Sequence, residues 1–355
     1  GKAYLAEKNY EKARIEFKNV LQIDPKSAEG FLYLGKVEEK NQNWSRAFGS
    51  YKKAIELDTD LIEPRISLAK VYLAQAGALR AREDKEGEAN AMGLAQEQIK
   101  EIQTRDPENL EGLTLDATIR VSDGDTDEAI EQLERILQKD PGLQSAAVLL
   151  ASLYDQNGRV DDAETVLVKA AQTNTDPVTL QVTLAQLYVK HKKNNLAEEL
   201  LRTVISNNPS ELSYWVSLAS FLAQTDQPDK AEKVLKEAIA ADPEDAQRYL
   251  LFSDFLAKRR GNLVAIDELK RAIQQNPGLT DLEFTLARLY LANEQKGEAR
   301  TVLNDVIERQ GVEPAGLKAR IILAQLIAAE DPESVSVSAL VEEVLKENPS
   351  DNDAL

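Results

Sequence analysis

The sequence predicts an all-α solenoid of stacked antiparallel helix hairpins, and three observations predict it. Alanine recurs at Ala13, Ala47, Ala95, Ala129, Ala163, Ala197, Ala231, Ala265 and Ala299, every step being 34 residues except one of 48. A fixed period of this length marks a repeat architecture. Four residues after each alanine stands a large apolar or aromatic side chain, from Phe17 and Tyr51 through Ile99, Leu133, Leu167, Leu201, Leu235 and Leu269 to Leu303, which is the spacing of one helix face. Eight residues further on, proline appears as Pro25, Pro107, Pro141, Pro209, Pro243 and Pro277, after Asp or Asn. There it stops one helix and turns the chain into the next.

Taken in order, the elements follow this period. The opening Gly1-Lys2-Ala3-Tyr4 matches the middle of a first helix, so the chain is expected to be a piece of a longer protein whose first repeat is truncated. Each later first helix carries a large residue, then Leu and a small residue three and four positions on, often followed by Tyr. Phe31/Leu34/Gly35, Leu184/Ala185/Tyr188, Trp215/Leu218/Ala219 and Leu286/Ala287/Tyr290 are examples. The small residues Gly35, Ala69, Ala117, Ala151, Ala185, Ala219 and Ala287 are expected to face the alanines of the second helices and let each pair close. The 48-residue step holds 14 extra residues within 75–89, rich in alanine and mixed charge, which favours helix. Fourteen is close to four turns, so two turns added to each helix keep both faces in phase. A protruding extension of the third hairpin is expected, turning near 82–87 and leaning on no neighbouring repeat. Gly311, Pro314 and Gly316 break the phase before the last hairpin, predicting a modest kink, and the Ser- and Val-rich stretch 331–338 makes that hairpin irregular. Beyond Pro349, Ser350 is placed to cap a further helix over 351–355. About ten repeats in a single solenoid over 1–355 result.

Composition narrows the function. With 43% hydrophobic and 29% charged residues the chain is too apolar for disorder. No run approaches the roughly 20 uncharged apolar residues of a membrane-spanning helix. The formal charge of -18, of which residues 101–170 carry 16 acids against 6 bases, repels phosphate backbones and argues against nucleic acid as partner. The absence of cysteine and the single His191 leave no thiolate chemistry and no multi-histidine metal site. The acid clusters Asp123/Asp125/Asp127/Glu128 and Asp161/Asp162/Glu164 lie where a turn meets a helix start, a place that favours carboxylates without an ion. The first cluster also lacks the glutamate-terminated twelve-residue calcium loop. No phosphate loop, nucleophile elbow or zinc pairing occurs, so no catalytic, cofactor-binding or metal residues are assigned and the chain is expected not to be an enzyme.

The pattern of aromatic, Leu-Gly, Tyr, Ala, Phe and Pro carried by Phe31, Leu34, Gly35, Ala47, Tyr51 and their successors resembles the tetratricopeptide repeat over essentially the whole chain. Arg65, Glu283 and Gln181 stand where that family prefers an aromatic, and Thr59, Thr175 and Gly311 where it prefers proline. The resemblance implies a right-handed superhelix with a concave groove that binds a protein or peptide segment. Residues 11–26 further resemble the repeat-bearing lipoproteins of bacterial exosortase sorting and exopolysaccharide export. That resemblance implies a periplasmic location with a lipid anchor upstream, the alternative being the cytoplasm. Two other functions compete: the substrate-recruiting repeats of a larger enzyme such as a glycosyltransferase, and a chaperone adaptor. The basic clamp of the adaptors is not visible among Val148/Ser152, Val182/Gln186 and Val216/Ser220.

The partner is expected on a row that falls one position after the large residue of each first helix: Leu32, Ile66, Thr114, Val148, Val182, Val216, Leu250 and Phe284. Polar residues one turn on, among them Lys36, Lys70, Ser152, Gln186, Ser220, Asp254 and Arg288, would set the register. Candidate partner-binding residues are Val148, Ser152, Val182, Gln186, Val216, Ser220, Leu250, Phe284 and Arg288. Tyr10, Trp44 and Trp215 are read as packing residues, and His191 as a solvated loop residue. Apolar faces left bare at the two ends are expected to allow weak end-to-end association.

Overall fold

A computed structural model describes residues 1–331, 333–349 and 351. The helix expected over 351–355 lies outside the described residues. All twenty elements found among them are helices: α1 (Lys2–Ala6), α2 (Tyr10–Ile23), α3 (Ala28–Lys40), α4 (Trp44–Leu57), α5 (Glu63–Arg80), α6 (Lys85–Arg105), α7 (Leu110–Asp123), α8 (Thr126–Lys139), α9 (Gln144–Gln156), α10 (Val160–Thr173), α11 (Val178–Lys190), α12 (Asn194–Asn207), α13 (Leu212–Gln224), α14 (Pro228–Ala241), α15 (Ala246–Arg260), α16 (Asn262–Gln275), α17 (Thr280–Ala292), α18 (Lys296–Gln310), α19 (Pro314–Ala328) and α20 (Val335–Glu347). Odd-numbered helices are the first, and even-numbered the second, of each hairpin. Compactness divides the chain into Gly1–Leu187 and Tyr188–Leu355.

The periodic alanines close the hairpins. All nine are 0% exposed, and the large residue four positions on is buried in every repeat. Size complementarity sets the facing residue. A Cβ at Gly35 would stand 2.6 Å from the Tyr51 ring, and one at Gly1 2.6 Å from the Phe17 ring, so an aromatic partner requires glycine. Where the large residue is Leu or Ile, the same register position is Ala or Ser, as at Ala117, Ala151, Ala219 and Ser253.

Two kinds of turn alternate. Within hairpins, one residue adopts the left-handed region, as at Lys8, Gln42, Glu83, Gly124, Gly158, Lys192, Asp226 and Glu294. The next N–H then bonds the carbonyl five residues back, as Asn43 N does to Glu38 O at 2.8 Å and Arg159 N to Tyr154 O at 2.8 Å, closing the helix end. Between hairpins, an Asp or Asn side chain accepts from the backbone N–H two residues on, at Asp24, Asp58, Asp106, Asp140 and Asn174. Asp58 and Asn174 precede threonine, so it is the Asx turn rather than proline that bends the chain there.

A third device holds the junctions together. Trp215 Nε1 donates to Pro209 O at 2.9 Å, the Tyr249 hydroxyl to Pro243 O at 3.1 Å, and Arg65 Nη2 to Thr59 O at 2.9 Å. Each is the aromatic-preferring position, and each donor reaches a turn carbonyl six residues upstream. Arg65, a departure from the pattern in sequence, does the work of the tryptophan.

Two expectations are corrected. Residues 75–89 lie in the end of α5, a turn at 81–84 and the start of α6, but the extension does lean on a neighbour: Arg80 donates to Glu88 Oε1 at 2.7 Å and to the Ser122 hydroxyl of α7 at 2.5 Å, and Ala76 and Ala91 are buried. Trp44 is not in the core: it stands at the first position of α4 and is 55% exposed. Tyr10, in the same position, is half-buried, and so is His191 in the turn after α11. At 310–316 the chain turns through Gly311, whose φ is +56°. Its carbonyl would lie 2.2 Å from a Cβ at Gly316, so glycine is required there too.

Candidate functional site

Each first helix turns one face to its own hairpin and leaves another for what lies outside. In α13 the buried set is Trp215, Leu218, Ala219, Phe221 and Leu222. Val216, Ser220 and Ala223, at spacings of four and three, share the next face, where Val216 and Ala223 are half-buried and Ser220 is exposed. In α15, Leu251, Asp254, Phe255, Lys258 and Arg259 form the matching strip. These residues, with buried Leu235 of α14, line a hollow of about 220 Å³.

The hollow has an apolar interior and a polar lip. Val216, Leu235, Leu251 and Phe255 supply the apolar surface. At the lip, Lys258 Nζ pairs with Asp254 Oδ2 at 2.7 Å, and Arg259 Nη2 donates to Ala223 O at 3.3 Å, tying α15 to α13. The arrangement can seat an apolar side chain and offer hydrogen bonds to the backbone beside it. Among the described residues no group of three or more His, Cys, Asp or Glu is placed to hold a metal ion, and no helix is long and apolar enough to cross a membrane.

Of the residues expected from sequence, Val216 and Ser220 line this hollow, with Asp254 beside them. Leu250 is half-buried next to it, its place on the wall taken by Leu251. Phe284 is half-buried under Lys318, whose Nζ stands 4.4 Å from the ring centre, and Arg288 is exposed; neither reaches the hollow. In the first unit Val148 and Val182 are half-buried and Gln186 is exposed. Ser152 is exposed too and accepts from Gln156 Nε2 at 3.0 Å. The row is not continuous, because Leu32 and Thr114 are each 4% exposed. Leu32 belongs to the core around Tyr51, and the Thr114 hydroxyl turns back to Leu110 O at 2.8 Å. Leu251, Phe255, Lys258 and Arg259 were missed. The signal for them was the spacing of four, seven and eight residues from Leu251, which the one-residue-per-repeat row overlooks.

Models described as tetratricopeptide repeat match residues 1–27, 120–178, 182–246 and 264–321, together more than half of the chain. No curated protein matches the sequence. Among solved structures, one of Naa15/Naa10 bound to HypK-THB is similar over 99% of this chain and 58% of that one, at 18% identity and a TM-score of 0.48. A human IFIT1 dimer with PPP-AAAA is similar over 90% and 72% respectively, at 17% identity and a TM-score of 0.45. A tetratricopeptide repeat protein from Parabacteroides merdae is similar over 79% and 99%, at 16% identity and a TM-score of 0.35. The chain thus spans 58% of the length of the first of these.

Proposed function

Because the chain belongs to the tetratricopeptide-repeat family, we propose that it is a non-catalytic scaffold that binds a peptide or protein segment along the faces of its first helices. The hollow between α13 and α15 carries this reading, since an apolar interior with Ser220, Lys258 and Arg259 at its lip suits a partner's apolar side chain and the polar backbone on either side. Stacked repeats present such faces in series, so affinity accumulates over several shallow contacts. The finer setting is a bacterial envelope system for protein sorting or exopolysaccharide export, with the repeats held in the periplasm by a lipid. It is supported by residues 11–26 alone, and fractionation of native cells tests it: recovery with the soluble cytoplasm would refute it.

The binding face is tested by placing a photo-crosslinking residue at Val216 in the native host, with Lys233 on α14, whose side chain is 76% exposed, as control. Crosslinks to a protein from position 216 and not from 233, lost when Phe255→Asp is added to a chain that still folds, are expected. Equal labelling at both positions would refute the first-helix site.

A further inference from the structure

The first helix α7 departs from its repeat at two positions that elsewhere are core. Where α9 carries buried Leu150 and Tyr154, and α17 buried Leu286 and Tyr290, α7 carries Asp116 and Arg120. These two side chains are held by polar contacts. Arg120 Nε donates to Asp116 Oδ2 at 3.0 Å and its Nη1 to Glu128 Oε2 at 2.9 Å, while Gln132 Nε2 donates to Leu113 O at 2.9 Å and to Asp116 Oδ2 at 3.2 Å. An aspartate is shorter than leucine, and a guanidinium drawn towards Glu128 does not fill the space of a tyrosine ring. What is left is a hollow of about 410 Å³ bounded by α6, α7 and α8, within the size range of ligand sites.

Its surfaces are of two kinds. Leu110, Leu113 and buried Ile136 make an apolar wall, and Gln103, Arg135 and Lys139 stand around it. Lys139 is paired with Glu108. Arg135 is different. Its Nε donates to Glu131 O at 3.2 Å, and among the described residues its guanidinium has no carboxylate partner. Its two terminal amino groups are therefore open to a carboxylate brought from outside the chain. The polar pair also forgoes the burial that leucine and tyrosine give the neighbouring repeats, a departure expected at functional sites.

We propose that this hollow is a second binding site, distinct from the first-helix face, for a protein segment that presents a carboxylate next to a large apolar side chain. The apolar group lies on Leu110, Leu113 and Ile136. The carboxylate takes the two terminal amino groups of Arg135 in the paired geometry that guanidinium favours, and the free amide of Gln103 meets the segment's backbone.

The test is a random twelve-residue peptide library displayed on phage and panned against the wild-type chain. Selected peptides are expected to carry Asp or Glu within two residues of Leu, Ile or Phe. Binding is expected to fall at least about tenfold with Arg135→Glu, since loss of a charge-assisted pair exceeds 1.4 kcal/mol, and to vanish with Asp116→Leu/Arg120→Tyr, which restores the residues of α9. That double variant should also melt about 2–4 °C higher than wild type, because it refills the core. Phe255→Asp should leave these peptides bound, which separates this site from the first-helix one. Unchanged binding by Arg135→Glu, peptides without the acid-apolar pair, or a double variant that melts lower than wild type would each overturn the proposal. So would octanoate binding as tightly as the peptides, which would assign the hollow to a small acid. Self-association abolished by the same variants would assign it to a second copy and overturn it too.

Discussion

Replacing Arg248 by methionine is expected to destabilise its hairpin by about 3–5 kcal/mol. The side chain is 0% exposed and joins two backbone carbonyls and a carboxylate. Nη1 donates to Ala238 O at 2.7 Å, Nη2 to Ser210 O at 2.8 Å, and Nε to Asp245 Oδ2 at 3.2 Å. The first bond has a structural origin. Most second helices close with the capping N–H on the carbonyl four residues back, as Asp140 N does on Ile136 O, but Asp242 N donates to Ile239 O at 3.2 Å, which frees the carbonyl of Ala238 for the arginine. Methionine keeps the apolar stem and the volume, so the loss comes from the hydrogen bonds. Two carbonyls lose a charged donor at about 1.5–3 kcal/mol each, and relief of the desolvation of a buried cation returns part of that sum. Asp245, whose side chain is 30% exposed, stays solvated and adds little. Urea denaturation followed by circular dichroism gives the total, and native-state amide exchange gives the place. Protection should fall in α13–α16 and hold in distant repeats, because each repeat touches only its neighbours. A change below about 1 kcal/mol, or an even loss of protection along the chain, would refute the reasoning.

Three further outcomes are expected. Gly35→Ala should lower stability by about 1–3 kcal/mol, since its Cβ would press on a fully buried ring, and adding Tyr51→Leu should recover part of that; strictly additive losses in thermal melts would contradict the pairing. Glu294→Gly should raise stability by about 0.5–1 kcal/mol, because Glu294 sits at φ +60° and glycine removes the left-handed strain at a smaller entropic penalty; an unchanged urea midpoint would count against it. The Tyr154 hydroxyl is pushed up to about 12 by burial and then by its bond to Glu134, so the folded state keeps its proton where the unfolded chain, near 10, has lost it. That stabilisation is complete below pH 10 and is lost as the pH climbs from 10 to about 12. The melting temperature of Tyr154→Phe should therefore fall less than that of wild type over this interval, and parallel curves would refute the assignment.

The hairpins were legible because their code is local and repeated. Ala129 and Leu133 share a helix face by spacing alone, and the recurrence of that pair every 34 residues identifies it as core without knowledge of any neighbour. The row of candidate residues was legible only in part. Val216 and Ser220 reach the hollow, whereas Thr114, in the same register, is withdrawn by a bond to its own helix. Position in the repeat states which way a side chain leaves the backbone, but not whether something else already occupies it.

Sequence by itself therefore determined the all-helical class, the pairing of helices and the residues that close each pair, since these follow from periodicity and side-chain size within one repeat. Tertiary structure decided the rest. Arg65 and Trp215 share one task because each finds a turn carbonyl six residues upstream. Trp44 is left more than half exposed, whereas Tyr10 in the same register is half-buried. The hollow beside Arg135 exists because Asp116 and Arg120 turn to Gln132 and Glu128 instead of filling it. Each of these depends on volumes and donors contributed by two or three different helices at once, and no single stretch of sequence carries that sum.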